Sequence, residues 1–140
     1  MTIPSAARAA LLAVATSLMA MTGSVPAQAA SSHHGTLPYE TGCAASRQLV
    51  QNGVRAVPGG TIRVYYSPVC GTNWVEYRGI AQMSAKQVTS SLGYTREVDY
   101  TSYAYSKQVY APGTSKIYVN VFGPGWSAGA DCAVSCGPWH

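Results

Sequence analysis

The sequence has few of the side chains that proteins use for acid–base catalysis. Among 140 residues there are five acids and three histidines. His33 and His34 are adjacent in a small polar segment, and His140 is the last residue. A Ser–His–Asp site needs a histidine held between a nucleophile and a carboxylate. We therefore predict no catalytic residues and no cofactor, and we expect a protein that is not an enzyme.

The few acids and metal-binding residues also form no convincing site. Glu97 and Asp99 fall on one face of a predicted strand, about 7 Å apart by strand rise, and we interpret them as a solvent-facing acidic strand. Cys132, Cys136 and His140 have helical spacing, but the Gly-Pro pair at residues 137–138 would break such a helix. We predict no metal site.

The only long apolar run lies near the N-terminus. Arg8 precedes a mostly apolar run of thirteen residues, 9–21, which is shorter than the ~20 needed to cross a bilayer. The segment Ala27-Gln28-Ala29 follows as a small-x-small cleavage pattern. We predict a Sec-type signal peptide over residues 1–29, cleavage after Ala29, a secreted protein and no membrane span in the mature chain.

Charge is sparse and scattered. Without Arg8, eight basic residues face five acidic ones, a net charge of +3, and no basic run occurs. A nucleic-acid interface would gather basic and aromatic residues on one element, so we exclude nucleic acid as a partner.

Four cysteines follow the predicted signal peptide, and an even number in an exported chain indicates two disulfides with three possible connectivities. We favour Cys43–Cys70 with Cys132–Cys136. The first would close 27 residues and stabilise the fold by roughly 3–4 kcal/mol. We expect Cys43 and Cys70 to meet across neighbouring strands.

Short alternating segments predict an all-β fold. Residues 61–66 and 115–122 alternate in the period of half-buried strands, and residues 74–77, 95–100 and 103–110 are further strand candidates. Asn52-Gly53 predicts a hairpin or bulge within a strand over residues 47–57. We expect about five to seven short strands in a small antiparallel sandwich or partly open barrel, stapled by disulfides.

The remaining segments are predicted to be irregular. We assign residues 30–37 to a flexible mature N-terminus, residues 38–122 to the β domain, and residues 123–140 to an irregular tail rich in Gly, Cys and Trp. The composition of residues 81–92 is compatible with a short helix, but Thr89-Ser90-Ser91 and the following Gly93 favour a loop, which is our prediction there.

Three pieces of the β domain carry a family resemblance: residues 42–45 (GCAA), 66–74 (YSPVCGTNW) and 109–112 (VYAP). Together they resemble the YjfA-like family of small exported bacterial proteins, whose function is not established. The resemblance covers about residues 39–122, and its most specific motif is Tyr-Ser-Pro-x-Cys-x-x-x-Trp. It implies a small all-β domain, an extracytoplasmic setting and a Cys43–Cys70 pair, and it carries over no catalytic residue. The tail with Cys132 and Cys136 departs from the family pattern.

Tyrosine is the abundant side chain, with ten Tyr against one Phe. Tyr combines an apolar ring with a polar hydroxyl, and it occurs at half-exposed positions and interfaces. Packing within the sheet explains most of these residues, and a candidate binding surface comprises Trp74, Tyr65, Tyr103 and Tyr105. We expect a non-catalytic extracellular module that binds a cell-envelope polymer or a protein. The alternative is a secreted peptidase inhibitor that uses the disulfide-anchored loop from Ser67 to Cys70.

Overall fold

A computed structural model describes residues 31–140, and within that range the regular structure consists of seven strands and one 3-10 turn. The predicted signal peptide lies outside the described residues. The elements are η1 (Cys43–Ser46), β1 (Gln48–Val57), β2 (Gly60–Ser67), β3 (Thr72–Ser90), β4 (Gly93–Tyr105), β5 (Val109–Tyr110), β6 (Ile117–Gly123) and β7 (Trp126–Cys132). The predicted all-β class is confirmed.

The long strand β3 organises the sheet. It pairs antiparallel with β2 through its first half, with β6 through its second half, with β4 along most of its length, and with β5 at its start. Strand β1 pairs antiparallel with the other edge of β2, and β7 pairs antiparallel with the other edge of β6. The backbone of Cys136 donates to Gln51 of β1 at 2.8 Å, which joins the chain after β7 to β1. The sheet is therefore a nearly closed, barrel-like one.

The core lies inside this curved sheet. Alternate residues of β2 and β6 point inward, including Ile62, Val64, Val119 and Val121, and none of the four has exposed area. Each such side chain contributes about 1.5–3 kcal/mol when it leaves water. This is the alternation that the sequence predicts for residues 61–66 and 115–122.

Strand β1 is interrupted where Asn52-Gly53 predicts it. The register with β2 shifts between Leu49 and Val54, and Asn52 has a φ of 57°. A Cβ at Gly53 would lie 2.6 Å from the carbonyl oxygen of Val50, so only glycine fits there. The dipeptide therefore forms a bulge within one strand.

The loop prediction for residues 81–92 is wrong. Strand β3 continues to Ser90, because β4 pairs with this stretch from one side and β6 from the other. Hydrogen bonding to two neighbours outweighs the weak strand propensity of its small polar residues.

The irregular-tail prediction is also wrong for half of residues 123–140. Residues 126–132 form β7, whose small residues Ala128 and Ala130 face the core. The remainder docks on the sheet: the Trp139 indole donates to the carbonyl oxygen of Asn52 at 3.0 Å, and His140 exchanges two backbone hydrogen bonds with Gly129.

Both predicted disulfides are confirmed. Cys43 bonds Cys70 with a Cα–Cα distance of 5.7 Å, and Cys132 bonds Cys136. Cys43 lies in η1 and Cys70 in the turn after β2, so the expectation that they meet across neighbouring strands is wrong. The bridge instead fastens the segment before β1 to the sheet.

Residues 30–37 were predicted to form a flexible N-terminus, but the described part of this segment is hydrogen-bonded to the domain. Gly35 donates to the carbonyl oxygen of Gln108, and Gln108 donates back to that of Thr36, both at 2.8 Å. Residues 31–37 thus lie along the β4–β5 connection. No helix within residues 31–140 is long and apolar enough to cross a membrane.

Candidate functional site

The four predicted contact residues lie on three neighbouring strands of the sheet. Cross-strand pairing sets Tyr65 of β2 opposite Trp74 of β3, and Tyr105 and Tyr103 of β4 opposite Glu76 and Arg78. Since alternate residues of a strand share a face, these side chains lie on one face of the sheet. We call this set, together with Tyr39, the aromatic cluster: Tyr39, Tyr65, Trp74, Tyr103 and Tyr105.

The rings of the aromatic cluster form two contact groups, the Tyr65–Trp74 pair and the trio of Tyr39, Tyr103 and Tyr105. The centroids are 5.9 Å apart for Tyr65 and Trp74, 4.7 Å for Tyr39 and Tyr105, 5.8 Å for Tyr103 and Tyr105, and 6.4 Å for Tyr39 and Tyr103. Tyr39 was not predicted to take part. It precedes η1, and the Cys43–Cys70 bridge holds that segment on the sheet.

Trp74 is not a surface residue, which corrects its assignment to the binding surface. Its exposed fraction is 0%, because it lies in the central strand beneath Tyr65 and donates its indole N–H to Glu76 Oε1 at 3.3 Å. Tyr65, Tyr103 and Tyr105 are half-buried and keep part of each ring in solvent. Trp74 is therefore a buried residue beneath the Tyr65 ring.

A buried carboxylate organises the hydroxyls. Glu76 is 1% exposed, and its Oε1 accepts from the hydroxyl of Tyr39. The Tyr103 hydroxyl lies 3.2 Å from the same oxygen and 2.7 Å from the Tyr39 hydroxyl. Glu76 Oε2 has no hydrogen-bond partner among residues 31–140. Burial and the bond to Glu76 raise the pKa of Tyr39 above its usual range, so Tyr39 remains a donor.

Two arginines border the aromatic cluster. The guanidinium of Arg78 lies 4.4 Å from the ring centroid of Tyr103, and that of Arg47 lies 5.7 Å from the centroid of Tyr65. Both distances fall within the range of cation–π attraction. The sequence analysis missed both residues because they are isolated charges in the chain. For Arg78 a signal was present: residues 74, 76 and 78 alternate along one strand and therefore share a face.

A cleft of about 220 Å³ adjoins the cluster along β4. One wall of the cleft consists of every second residue of the strand: two acids, then a threonine, then two tyrosines. The lining comprises Leu37, Glu97, Asp99, Thr101, Tyr103, Ala104 and Tyr105. Tyr103 and Tyr105 thus belong to the cleft and the cluster at once.

The two acids of the cleft are ion-paired, which refines their interpretation as a solvent-facing acidic strand. Asp99 lies 3.1 Å from Lys86 Nζ, and Glu97 lies 3.0 Å from Lys107 Nζ. The Lys86 side chain has no exposed area, and its ammonium also donates to the Oγ of Ser84 at 3.1 Å. Burial lowers the pKa of Lys86, while Asp99 acts in the opposite direction.

The other groups considered in the sequence lie elsewhere. Donor atoms of His33, Cys43 and Cys70 lie within 4.8 Å of one another, but the two sulfurs are bonded as a disulfide and offer no thiolate. His140 stacks on Tyr118, with its Nε2 3.1 Å from the tyrosine hydroxyl. What the aromatic cluster and the cleft offer is ring stacking and hydrogen bonding.

The loop from Ser67 to Cys70 is a tight turn. Ser67 is fully buried; its Oγ lies 2.8 Å from the Oγ of Ser46 and accepts from the backbone N–H of Cys70 at 3.2 Å. Pro68 and Val69 are exposed, Val69 by 66%. The turn therefore presents two residues.

A larger cleft of about 370 Å³ lies where β1 meets the tail, but it is the weaker candidate. Its lining has no charged side chain, and Tyr66 is its one aromatic residue. It therefore provides little with which to orient a polar ligand. No family model, curated protein or solved structure matches this chain, so the resemblance to the YjfA-like family stays a prediction.

Proposed function

We propose that this protein is a non-catalytic extracellular module that binds a polyhydroxylated polymer of the cell envelope through the aromatic cluster and the adjoining cleft. The observation that carries the proposal is the placement of Tyr65, Tyr103 and Tyr105, which lie half-exposed on one face beside a wall of carboxylates and a threonine hydroxyl.

The chemistry of the wall fits a sugar-like ligand. Tyrosine rings provide apolar faces with a hydroxyl at the edge, which suits a ring that is apolar on its face and polar at its rim. Carboxylates accept strong hydrogen bonds from hydroxyl donors. Glu97 and Asp99 are balanced by Lys107 and Lys86, so the cleft favours an uncharged polyol over a phosphate-rich polymer.

The tyrosines are held in place before any ligand arrives. Glu76 fixes the hydroxyl of Tyr39, which in turn lies within hydrogen-bonding distance of Tyr103. Ordering a mobile side chain at an interface costs about 0.5–1.5 kcal/mol, and a pre-ordered ring avoids most of that cost. This favours binding over a role in packing alone.

An extracellular setting is supported by the cysteines. All four are paired as disulfides, which persist in oxidising compartments and are rare in the cytosol. Together with the predicted signal peptide, this supports a ligand outside the cytoplasm.

Co-sedimentation with insoluble cell-wall material tests the proposal. The oxidised protein of residues 30–140 should pellet with the wall fraction at low and at high salt. The Tyr105→Ala variant should bind at least ~10-fold more weakly, equivalent to about 1.4 kcal/mol. Tyr118→Ala, which replaces a half-buried tyrosine of β6 outside the cluster and the cleft, is the matched control and should bind as the wild type does.

Three results would count against this function. The first is an absence of pelleting. The second is pelleting lost at high salt, which would assign the attraction to the net charge. The third is equal binding by the Tyr105→Ala and Tyr118→Ala variants.

Peptidase inhibition is the second candidate, and one observation favours it: Val69 projects from a turn that the Cys43–Cys70 bridge anchors. A pre-organised turn loses little entropy when it binds. An inhibition assay against serine peptidases and metallopeptidases at micromolar protein, with Val69→Asp as the inactive variant, tests this function. It is rejected if the wild type does not inhibit.

A further inference from the structure

Strand β4 lies at an open edge of the sheet. Its 13 residues pair with β3, and within residues 31–140 no strand pairs with its opposite edge. Exposed edges tend to pair with other chains, and proteins usually block them with proline, charged side chains or a bulge. β4 contains no proline, its acids Glu97 and Asp99 are ion-paired with Lys107 and Lys86, and the register irregularity of the β3–β4 pair adds residues to β3. Arg96 is the one remaining charge of the strand.

Large exposed side chains accompany this edge. Tyr94, Val98 and Tyr100 occur at even-numbered positions of β4, where they are 67%, 52% and 69% exposed. Met83 of β3, opposite Tyr100, is 50% exposed. We call these four residues together with Arg96 the β4 strip. Its β4 members have even numbers, so they lie on the face of the strand opposite to the odd-numbered residues that line the cleft.

We infer that the β4 strip and its edge bind a second copy of this chain, in an antiparallel β4–β4 pair with its two-fold axis at Glu97. Residues directly opposite in an antiparallel pair have their side chains on the same face of the sheet. The two-fold axis must therefore set one residue directly opposite its own copy in the second chain. With the axis at Glu97, Gly93 at the start of β4 lies opposite Thr101, so the pairing covers the nine residues from Gly93 to Thr101 of each copy.

Complementarity of the strip selects this register. Tyr94 of each copy lies opposite Tyr100 of the other, so the two most exposed rings pair twice. Arg96 lies opposite Val98, and Thr95 lies opposite Asp99. One like-charge contact remains, Glu97 with Glu97, and each of these carboxylates has its own Lys107. An axis at Val98 would instead set Glu97 against Asp99 twice.

The self-complementary order of the strip favours a second copy over an unrelated peptide. Tyr, Arg, Val and Tyr at positions 94, 96, 98 and 100 match the same residues in reverse, with an aromatic pair at each end. The inference is independent of the proposed polymer binding, which uses the odd-numbered side of β4.

Sedimentation equilibrium over a concentration series tests the dimer. The wild-type protein should dimerise as its concentration rises. Val98→Lys should raise the dimer dissociation constant at least ~10-fold, because the new ammonium faces Arg96 of the second copy. Val54→Lys, a half-exposed valine of β1, is the matched control and should dimerise as the wild type does.

The register has its own measurement. Spin labels attached to Ser102→Cys should lie about 34 Å apart at the Cα atoms, ten residues along the strand at about 3.4 Å each. An axis at Val98 would give about 27 Å by the same geometry. A protein that stays monomeric at millimolar concentration, a dimer unaffected by Val98→Lys, or a distance that departs from 34 Å by a strand step would overturn the inference. In the first case the edge would be left to an extended segment of another protein.

Discussion

The hydroxyl of Tyr39 donates to the buried carboxylate of Glu76 across 37 positions of the chain. This contact joins a segment outside the sheet to the middle of its central strand. It also places one ring of the aromatic cluster against Tyr105. Its removal should be felt in both stability and the order of the neighbouring tyrosines.

The Tyr39→Phe substitution should lower the free energy of unfolding by about 1–3 kcal/mol, because a buried carboxylate loses a donor. Urea denaturation measures the change. Tyr94→Phe removes a hydroxyl at an exposed position and should change stability by less than ~0.5 kcal/mol. Equal effects of the two substitutions would show that the Tyr39–Glu76 contact does not stabilise the fold.

Alkaline pH should destabilise the protein through Tyr39. The folded state holds the pKa of this hydroxyl above its usual range, whereas in the unfolded chain it ionises near its ordinary value of 10.0. The unfolded state therefore releases a proton that the folded state retains, and the free energy of unfolding falls as pH rises above about 10. In Tyr39→Phe this fall should be shallower. Parallel curves for the two proteins between pH 9 and 11 would contradict the assignment.

The Lys86–Asp99 pair should respond differently to loss of each partner. Lys86→Met removes a buried ammonium and leaves a carboxylate that is partly in solvent, so stability should be unchanged or increased. Asp99→Asn leaves the ammonium buried without its ion-pair partner and should cost about 1–3 kcal/mol. Urea denaturation of both single variants and the double variant measures the coupling. A larger loss for Lys86→Met than for Asp99→Asn would contradict this account.

The two disulfides should contribute unequally. Cys43 and Cys70 are 27 positions apart, whereas Cys132 and Cys136 are four apart. In the chain-entropy model the longer loop stabilises by about 3–4 kcal/mol and the shorter by about 2 kcal/mol. Replacing each pair with serine, with unfolding followed by calorimetry, should lower the melting temperature more for the Cys43–Cys70 pair. The reverse order would indicate that the short bridge is needed to hold the tail on the sheet.

Local alternation predicts the parts of the fold that depend on local sequence. Residues 61–66 and 115–122 alternate because one side of each strand faces the core, and the structure has β2 and β6 there. The Asn52-Gly53 bulge also follows from local conformational preference. Pairing of the cysteines could be predicted because an even count after a predicted signal peptide leaves three connectivities.

What failed depends on contacts distant in sequence. Residues 81–90 form a strand because β4 and β6 flank them, and neither partner can be identified from the stretch itself. Strand β7 buries Ala128 and Ala130, which are too small to give a clear hydrophobic alternation. Trp74 was expected at the surface, but Tyr65 covers it and Glu76 takes its indole N–H.

The pairing of β3 with four other strands has a consequence for the unfolding pathway. Removing β3 would leave two hairpins, β1–β2 and β6–β7, joined through the segment after β7, and a two-stranded hairpin is marginally stable at best. Amide protons in the middle of β3 should therefore exchange with solvent through global opening, at a free energy equal to that of complete unfolding. The domain should behave as one cooperative unit, in which the two ends of the sheet gain and lose their order together.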